Sequence, residues 1–353
     1  MKYKTLQMIL KAKKSQRNYE IDIEEFFRLI RNEFGLELHS EFKVFEEGEV
    51  NLHILTEDSS KKYVICVFRP DKPISELQID LDTLNYIIDQ QFPTPRLYKT
   101  IEKKLYSKYR SYPFSIFEFI DGHTPEYSES TFINIGKSLA ELHTLSESRE
   151  FKNLNLRSAG LYNNGKRVDS IVSFINNNLR RLRDYCEDKT FHIIQKIPKN
   201  LHGIEFHKCS EGYIHSDVVF HNLKQMSDGK VYFLDFDDWG TDRFILDWVL
   251  PICYECTNFN SKKRSESLKF NIKLLQAYLK GYLSIRKIKI NEIEKFWDAC
   301  KLRIIDFIGW MIWHIIYDKN QKNSKIIDHW NLLCFLEKNY KDYLIKQMMD
   351  LNQ

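Results

Sequence analysis

The chain changes character at Gly122. Before it, short β-branched and aromatic runs dominate; after it, long helical stretches follow, broken by one β-type island at residues 213–236. In "IDIEEFFRLIRNEFG", Ile23, Phe26, Phe27, Leu29, Ile30 and Phe34 form one helical stripe that Gly35 stops. "EFKVFEEGEVNLHILTED" alternates and turns at Glu47-Gly48, and "KKYVICVFRP" reads as a strand ended by Pro70. "SELQIDLDTLNYIIDQQ" is then a helix with Leu77, Leu81, Leu84, Ile87 and Ile88 on its inner face. "KLYSKYRSYPFSIFEFIDG" completes a small sheet. The pattern predicts an α+β fold: a sheet lobe with one packed helix over residues 1–121, and a larger helical lobe over 122–353.

Composition narrows the function classes. Length, at 353 residues, suffices for one large two-lobed domain with a sizeable core. Lys and Arg number 53 against 49 Asp and Glu, and a net charge of +4 is too balanced to imply nucleic acid. The basic stretch "LKAKKSQR" reads as a solvated terminus. Twelve glycines argue against a Gly-rich dinucleotide fold. No apolar run is long enough to span a membrane, no signal h-region stands out, and seven scattered cysteines fit a reducing cytoplasm. The lone C-x-x-C at Cys253 and Cys256 sits in an apolar, helix-like stretch, where two buried cysteines are the better reading than zinc.

The β-type island carries chemistry. His215-x-Asp217 is followed by Asn222, and an apolar run, "VYFLDF", then delivers Asp235. Phosphoryl transfer needs hard oxygen ligands for Mg2+ and a carboxylate to take a proton from the acceptor hydroxyl. Asp and Asn five residues apart on a tight loop, with a second carboxylate arriving on a strand, satisfy both needs. Each element alone is also common in turns and caps, so the joint spacing is what separates this reading from an acidic hairpin.

On these residues the chain resembles the aminoglycoside phosphotransferase/choline kinase family, which has a two-lobed protein-kinase-like fold. Within it, the stretches are most similar to the bacterial stress response kinase subgroup. The matching stretches are "YVICVFRPDK", "IGKSLAELH", "HSDVVFHN", "YFLDFDDWGTDRFILDW" and "LRIIDFIGWMIWHIIYD", so the resemblance runs from Glu41 to Trp330. It implies an ATP- or GTP-dependent, Mg2+-assisted kinase with a hydroxyl acceptor on a small molecule or a protein. Nucleic acid and membrane partners are not implied. Asp217 would be the catalytic base, with His215 supporting its loop, and Asn222 and Asp235 would hold the metal. Asp247 would brace the loop. Asp237 and Asp238 would either reach a second metal or a cationic acceptor, or cap the next segment. Glu118, Phe119 and Ile120 would form the hinge that meets adenine, and Asn51 would close the phosphate-covering turn.

One position departs from the family. Relatives carry a cation where Cys66 stands, paired with a helix acid that here is Asp80. Lys62 shares its strand parity but lies about 13 Å back along an extended strand, and Arg69 has the wrong parity unless Pro70 re-aims it. Ser216 replaces a glycine, a change read as mild where φ is negative. Two functions follow: an active phosphotransferase, or a nucleotide-responsive pseudokinase-like module that has lost its ion pair.

Overall fold

The computed structural model describes residues 7–11, 18–45, 51–257, 259, 268–317 and 323–352. The turn expected at Glu47-Gly48 and most of "LKAKKSQR" lie outside them. The chain forms two compact units. One comprises Met1–Gly122 with Tyr232–Leu234, the other His123–Val231 with Asp235–Gln353.

In the first unit, β1 (Gln7–Lys11) pairs antiparallel with β2 (Asn18–Asp22). Helix α1 (Ile23–Phe34) follows at once. The Asp22 carboxylate accepts from Glu25 N at 3.1 Å, and Gly35 closes the helix at φ 69°, a left-handed cap that glycine adopts without cost. Ile23, Phe26, Ile30 and Phe34 are buried, while Phe27 and Leu29 pack at the margin. Next come β3 (Phe42–Val44), β4 (Leu52–Glu57), β5 (Lys62–Val67), α2 (Ile74–Asp89), β6 (Leu97–Tyr98), β7 (Ser107–Tyr109) and β8 (Tyr112–Glu118).

The sheet order is β3-β4-β5-β8-β6, with β7 also on β8. Strand β5 therefore lies between two partners, His53 facing Cys66 on one side and Ser115 facing it on the other. This central place explains why Ile65, Cys66 and Val67 are all buried instead of alternating. Helix α1 packs Phe26 edge-on against Phe114 of β8, ring centres 4.8 Å apart. Burial of such a ring stabilises by about 1.5–3 kcal/mol. Phe233 joins this unit through its N–H, which donates to Pro93 O, and its carbonyl, which accepts from Thr94 Oγ1.

The second unit opens with α3 (Glu129–Leu145), the short α4 (Arg149–Lys152), α5 (Lys166–Tyr185) and α6 (Asp188–Leu201). The β-type island follows: β9 (Glu211–Ile214), β10 (Leu223–Gln225), β11 (Val231–Phe233, of which Tyr232 and Phe233 belong to the first unit) and β12 (Gly240–Arg243). Strand β9 pairs antiparallel with β12, Ile214 opposite Gly240. Helices α7 (Phe244–Asp247), α8 (Ile272–Leu283), α9 (Ile290–Tyr317), α10 (Asn323–Asn339) and α11 (Lys341–Leu351) complete it.

Two glycines set the approach of α3 to α8. A Cβ on Gly136 would collide with the Tyr278 carbonyl, and one on Gly281 with the Ile133 carbonyl. The backbones touch at both points, which explains the glycine in "IGKSLAELH". No helix among the described residues is long and apolar enough to cross a membrane. Cys253 and Cys256 are buried, as read from the sequence, but Cys253 Sγ faces Cys300 Sγ at 3.4 Å.

Candidate active site

Strand β9 ends at Ile214 and the chain turns sharply. Asp247, fully buried at the end of α7, accepts from three donors: His215 N at 2.9 Å, Ser216 N at 2.7 Å and His143 Nε2 at 3.1 Å. His143 Nδ1 in turn accepts from Tyr282 Oη at 2.7 Å, which fixes the ring with its proton on Nε2. Burial alone would raise the Asp247 carboxyl, but the hydrogen bonds it accepts from His143 and the His215 backbone hold it below the usual carboxylate range. Burial lowers His143, so the imidazole stays neutral. A buried carboxylate thus anchors the first two residues of the loop, the bracing role read for Asp247.

Ser216 adopts φ 68°. The replacement of glycine here is therefore not mild: a serine stands where the backbone is left-handed, a conformation that side chains rarely adopt. Its hydroxyl donates to Asp238 O at 2.7 Å, and its carbonyl accepts from Arg303 Nη2 at 2.5 Å. Beyond it, Asp217 N donates to His215 Nδ1 at 3.2 Å. The His215 ring is buried against Trp239, centres 4.5 Å apart. It supports the loop and has no exposed atom with which to react.

Asp217 and Asn222 meet directly. Two turn hydrogen bonds, Val219 N to Asp217 O and Asn222 N to Val219 O, fold the loop back on itself. Asn222 Nδ2 then donates to Asp217 Oδ2 at 2.6 Å and to Asp217 O at 3.1 Å. The spacing of five residues brings the two side chains together.

Asp235 also takes a left-handed conformation, φ 60°. Its Oδ1 accepts from Asp237 N at 3.5 Å, and Arg157 Nη2 holds the carbonyls of Asp237 and Trp239 at 2.6 and 2.9 Å. Close surroundings and the charges of Asp237, Asp238 and Asp217 push the Asp235 carboxyl up to about 7, although its side chain remains open to solvent. The Asp238 carboxyl is raised too, by desolvation and then by Asp217 and Asp237, against a downward pull from Arg303 and Arg157. Asp217, Asp235, Asp237 and Asp238 disfavour one another's ionisation, and their hard oxygens are the kind a divalent cation takes. Among the described residues, no three or more His, Cys, Asp or Glu side chains converge into a ready metal-holding group.

The first unit holds the remaining residues read from the sequence. Asn51 Oδ1 accepts from Arg69 N at 3.2 Å. Glu118 ends β8, its N–H donating to Arg96 O at 2.9 Å, and Ile120 is buried. Lys62 lies over the Phe119 ring at 5.6 Å, and Arg69 Nε is 4.0 Å from Asp71. Asp80 is paired with another cation: Lys72 Nζ lies 3.0 Å from Asp80 Oδ2, both side chains only 10% exposed. A turn built on Pro70, with Lys72 N donating to Arg69 O at 3.2 Å, brings the lysine back over Phe68 and toward α2.

Residues 41–286, more than half of the chain, match the model of the phosphotransferase enzyme family. The homoserine kinase of Rhizobium meliloti (strain 1021) is 23% identical over 259 residues, 72% of this chain and 73% of that protein. Two solved structures share the fold. An amicoumacin kinase in complex with AMP-PNP, Ca2+ and Ami superposes at a TM-score of 0.63 with 13% identity, covering 92% of this chain and 94% of that one. A choline kinase from Cryptosporidium parvum Iowa II superposes at 0.62 with 16% identity, covering 94% and 99%. A strand-rich first unit, a helical second one, and a loop that joins Asp217 to Asn222 agree with the family match: the chain belongs to the phosphotransferase enzyme family.

Proposed function

We propose that this protein transfers the γ-phosphoryl group of ATP or GTP to the hydroxyl of a small amino alcohol, with Asp217 as the base. The carrying observation is the Asp217–Asn222 hydrogen bond at 2.6 Å, set among the carboxylates of Asp235, Asp237 and Asp238. Asp217 takes the acceptor's proton as the oxygen attacks the γ-phosphorus, the β–γ bridging P–O bond breaks to release the nucleoside diphosphate, and Asn222 holds the Asp217 carboxylate in one orientation. The donor set is all hard oxygen: the Asn222 amide oxygen, Asp235 and Asp237 would hold Mg2+. When bound, the ion would neutralise the charge on the triphosphate oxygens. Lys72, steadied by Asp80, supplies the cation for the nucleotide phosphates that Cys66 does not.

That ion pair favours the active reading over a pseudokinase-like module. The acceptor class rests on the relatives: homoserine and choline each carry a hydroxyl and a cationic nitrogen on a short chain. The protein would be incubated with Mg2+, ATP or GTP, and a panel of amino alcohols, and phosphorus NMR would read the products. A phosphomonoester that forms only when acceptor is present supports the proposal. Nucleotide binding with no ester from any acceptor would instead favour the regulatory module.

A further inference from the structure

Arg303 sits in an apolar stretch of α9, and its side chain is 4% exposed. Its obvious partner is Asp306, one turn along the helix. That contact is long, Nη1 to Oδ2 at 3.4 Å, and Asp306 is already held by Arg167 Nε at 2.6 Å. The shortest hydrogen bond of the guanidinium goes elsewhere, to the Ser216 carbonyl at 2.5 Å. Phe307 lies under the guanidinium at 5.1 Å and confines it.

The Ser216 carbonyl belongs to the same rigid peptide plane as Asp217 N. Arg303 holds one edge of that plane, and His215 Nδ1 holds the other by accepting from Asp217 N. The preceding peptide is pinned at Ser216 N by Asp247, and the Ser216 hydroxyl ties the loop to Asp238 O. Three separate elements therefore hold one residue in a conformation that serine disfavours. Such over-determination is needed where a small displacement of the next residue matters.

We propose that Arg303 is a positioning residue for phosphoryl transfer, orienting Asp217 by fixing the Ser216–Asp217 peptide in its left-handed approach. The role rests on the phosphotransferase reading. It predicts that Arg303→Met lowers kcat by about 100-fold with the KM for nucleotide unchanged. Arg303→Lys, which keeps a cationic donor toward the carbonyl, should recover at least a tenth of wild-type kcat.

A second readout does not depend on activity. Amide hydrogen exchange by NMR should quicken at Ser216 and Asp217 in Arg303→Met, and in Arg303→Lys only slightly, while Tyr213 and Ile214 of β9 keep their wild-type rates. If wild type transfers no phosphate but the exchange pattern appears, the functional reading fails and the clamp stands. If Arg303→Met lowers kcat and the exchange at Ser216 and Asp217 matches that at β9, the clamp is wrong. A variant that is less stable but retains wild-type kcat per folded molecule also overturns the proposal. Should Arg303→Met not fold, Arg303→Gln, which removes the charge and shortens the reach to the Ser216 carbonyl, carries the test with the same two readouts and the same expected and overturning results.

Discussion

At the scale of single residues, the proposed function turns on Cys66 and Lys72. The thiol one residue before the end of β5 was legible, because strand parity and the neighbouring "FRP" fix its place. Its consequence was not. Lys72 approaches Asp80 only because the turn from Arg69 to Lys72 reverses the chain, and parity arguments stop where a strand ends. Ser216 hides its conformation for a similar reason: a serine does not announce a left-handed φ, whereas a glycine would. Arg303 did leave a signal, as a cation inside the apolar run "LRIIDFIGWMIW", a cost that demands a buried partner. If Lys72 supplies the phosphate-binding cation, Lys72→Met should lower kcat/KM for nucleotide on the order of 100-fold. Adding Cys66→Lys should then restore most of it. Steady-state kinetics on both variants check this, and a Lys72→Met enzyme of wild-type efficiency would remove the role.

At the scale of elements, legibility followed exposure. Helix α1 was read almost to its ends, since a half-buried helix shows its stripe and both its caps, Asp22 and Gly35, are visible residues. Helix α9 starts at Ile290, twelve residues before the apolar stretch that begins at Leu302, because its first turns bury a mixture of apolar and charged side chains. The close approach of α3 to α8 was hidden, being a backbone contact at Gly136 and Gly281. Gly281→Ala should cost about 1–3 kcal/mol, read as a lower midpoint of denaturation, because its Cβ has only a helix backbone to displace.

The anchor between α3 and α7 makes a pH prediction. Burial holds His143 below its ordinary value of 6.5, so below that pH the unfolded chain gains a proton that the folded chain refuses. Stability therefore falls as pH drops from 6.5 toward the lowered folded value. Asp247 acts further down: its contribution is full above the unfolded value of 3.8 and is lost as pH falls through its lower folded value. Melting temperatures between pH 7 and 5 should slope less steeply in His143→Asn than in wild type. Equal slopes would remove His143 as the source.

At the scale of the whole molecule, the division into a strand-rich and a helical part was plain in the sequence, because hydrophobic period changes from two to 3.6 near Gly122. The return of Tyr232–Leu234 to the first unit was not, since three residues carry no periodicity. Family membership rests on residues 41–286, and the proposed chemistry on the loop from His215 to Asn222 and the turn from Asp235 to Asp238. The most direct measurement compares wild type with Asp217→Asn for acceptor-dependent phosphoryl transfer, alongside nucleotide binding by calorimetry. The expected result is a loss of kcat of about 10²–10⁴-fold with nucleotide affinity retained. Turnover insensitive to Asp217→Asn, in a variant that still binds nucleotide, would contradict it.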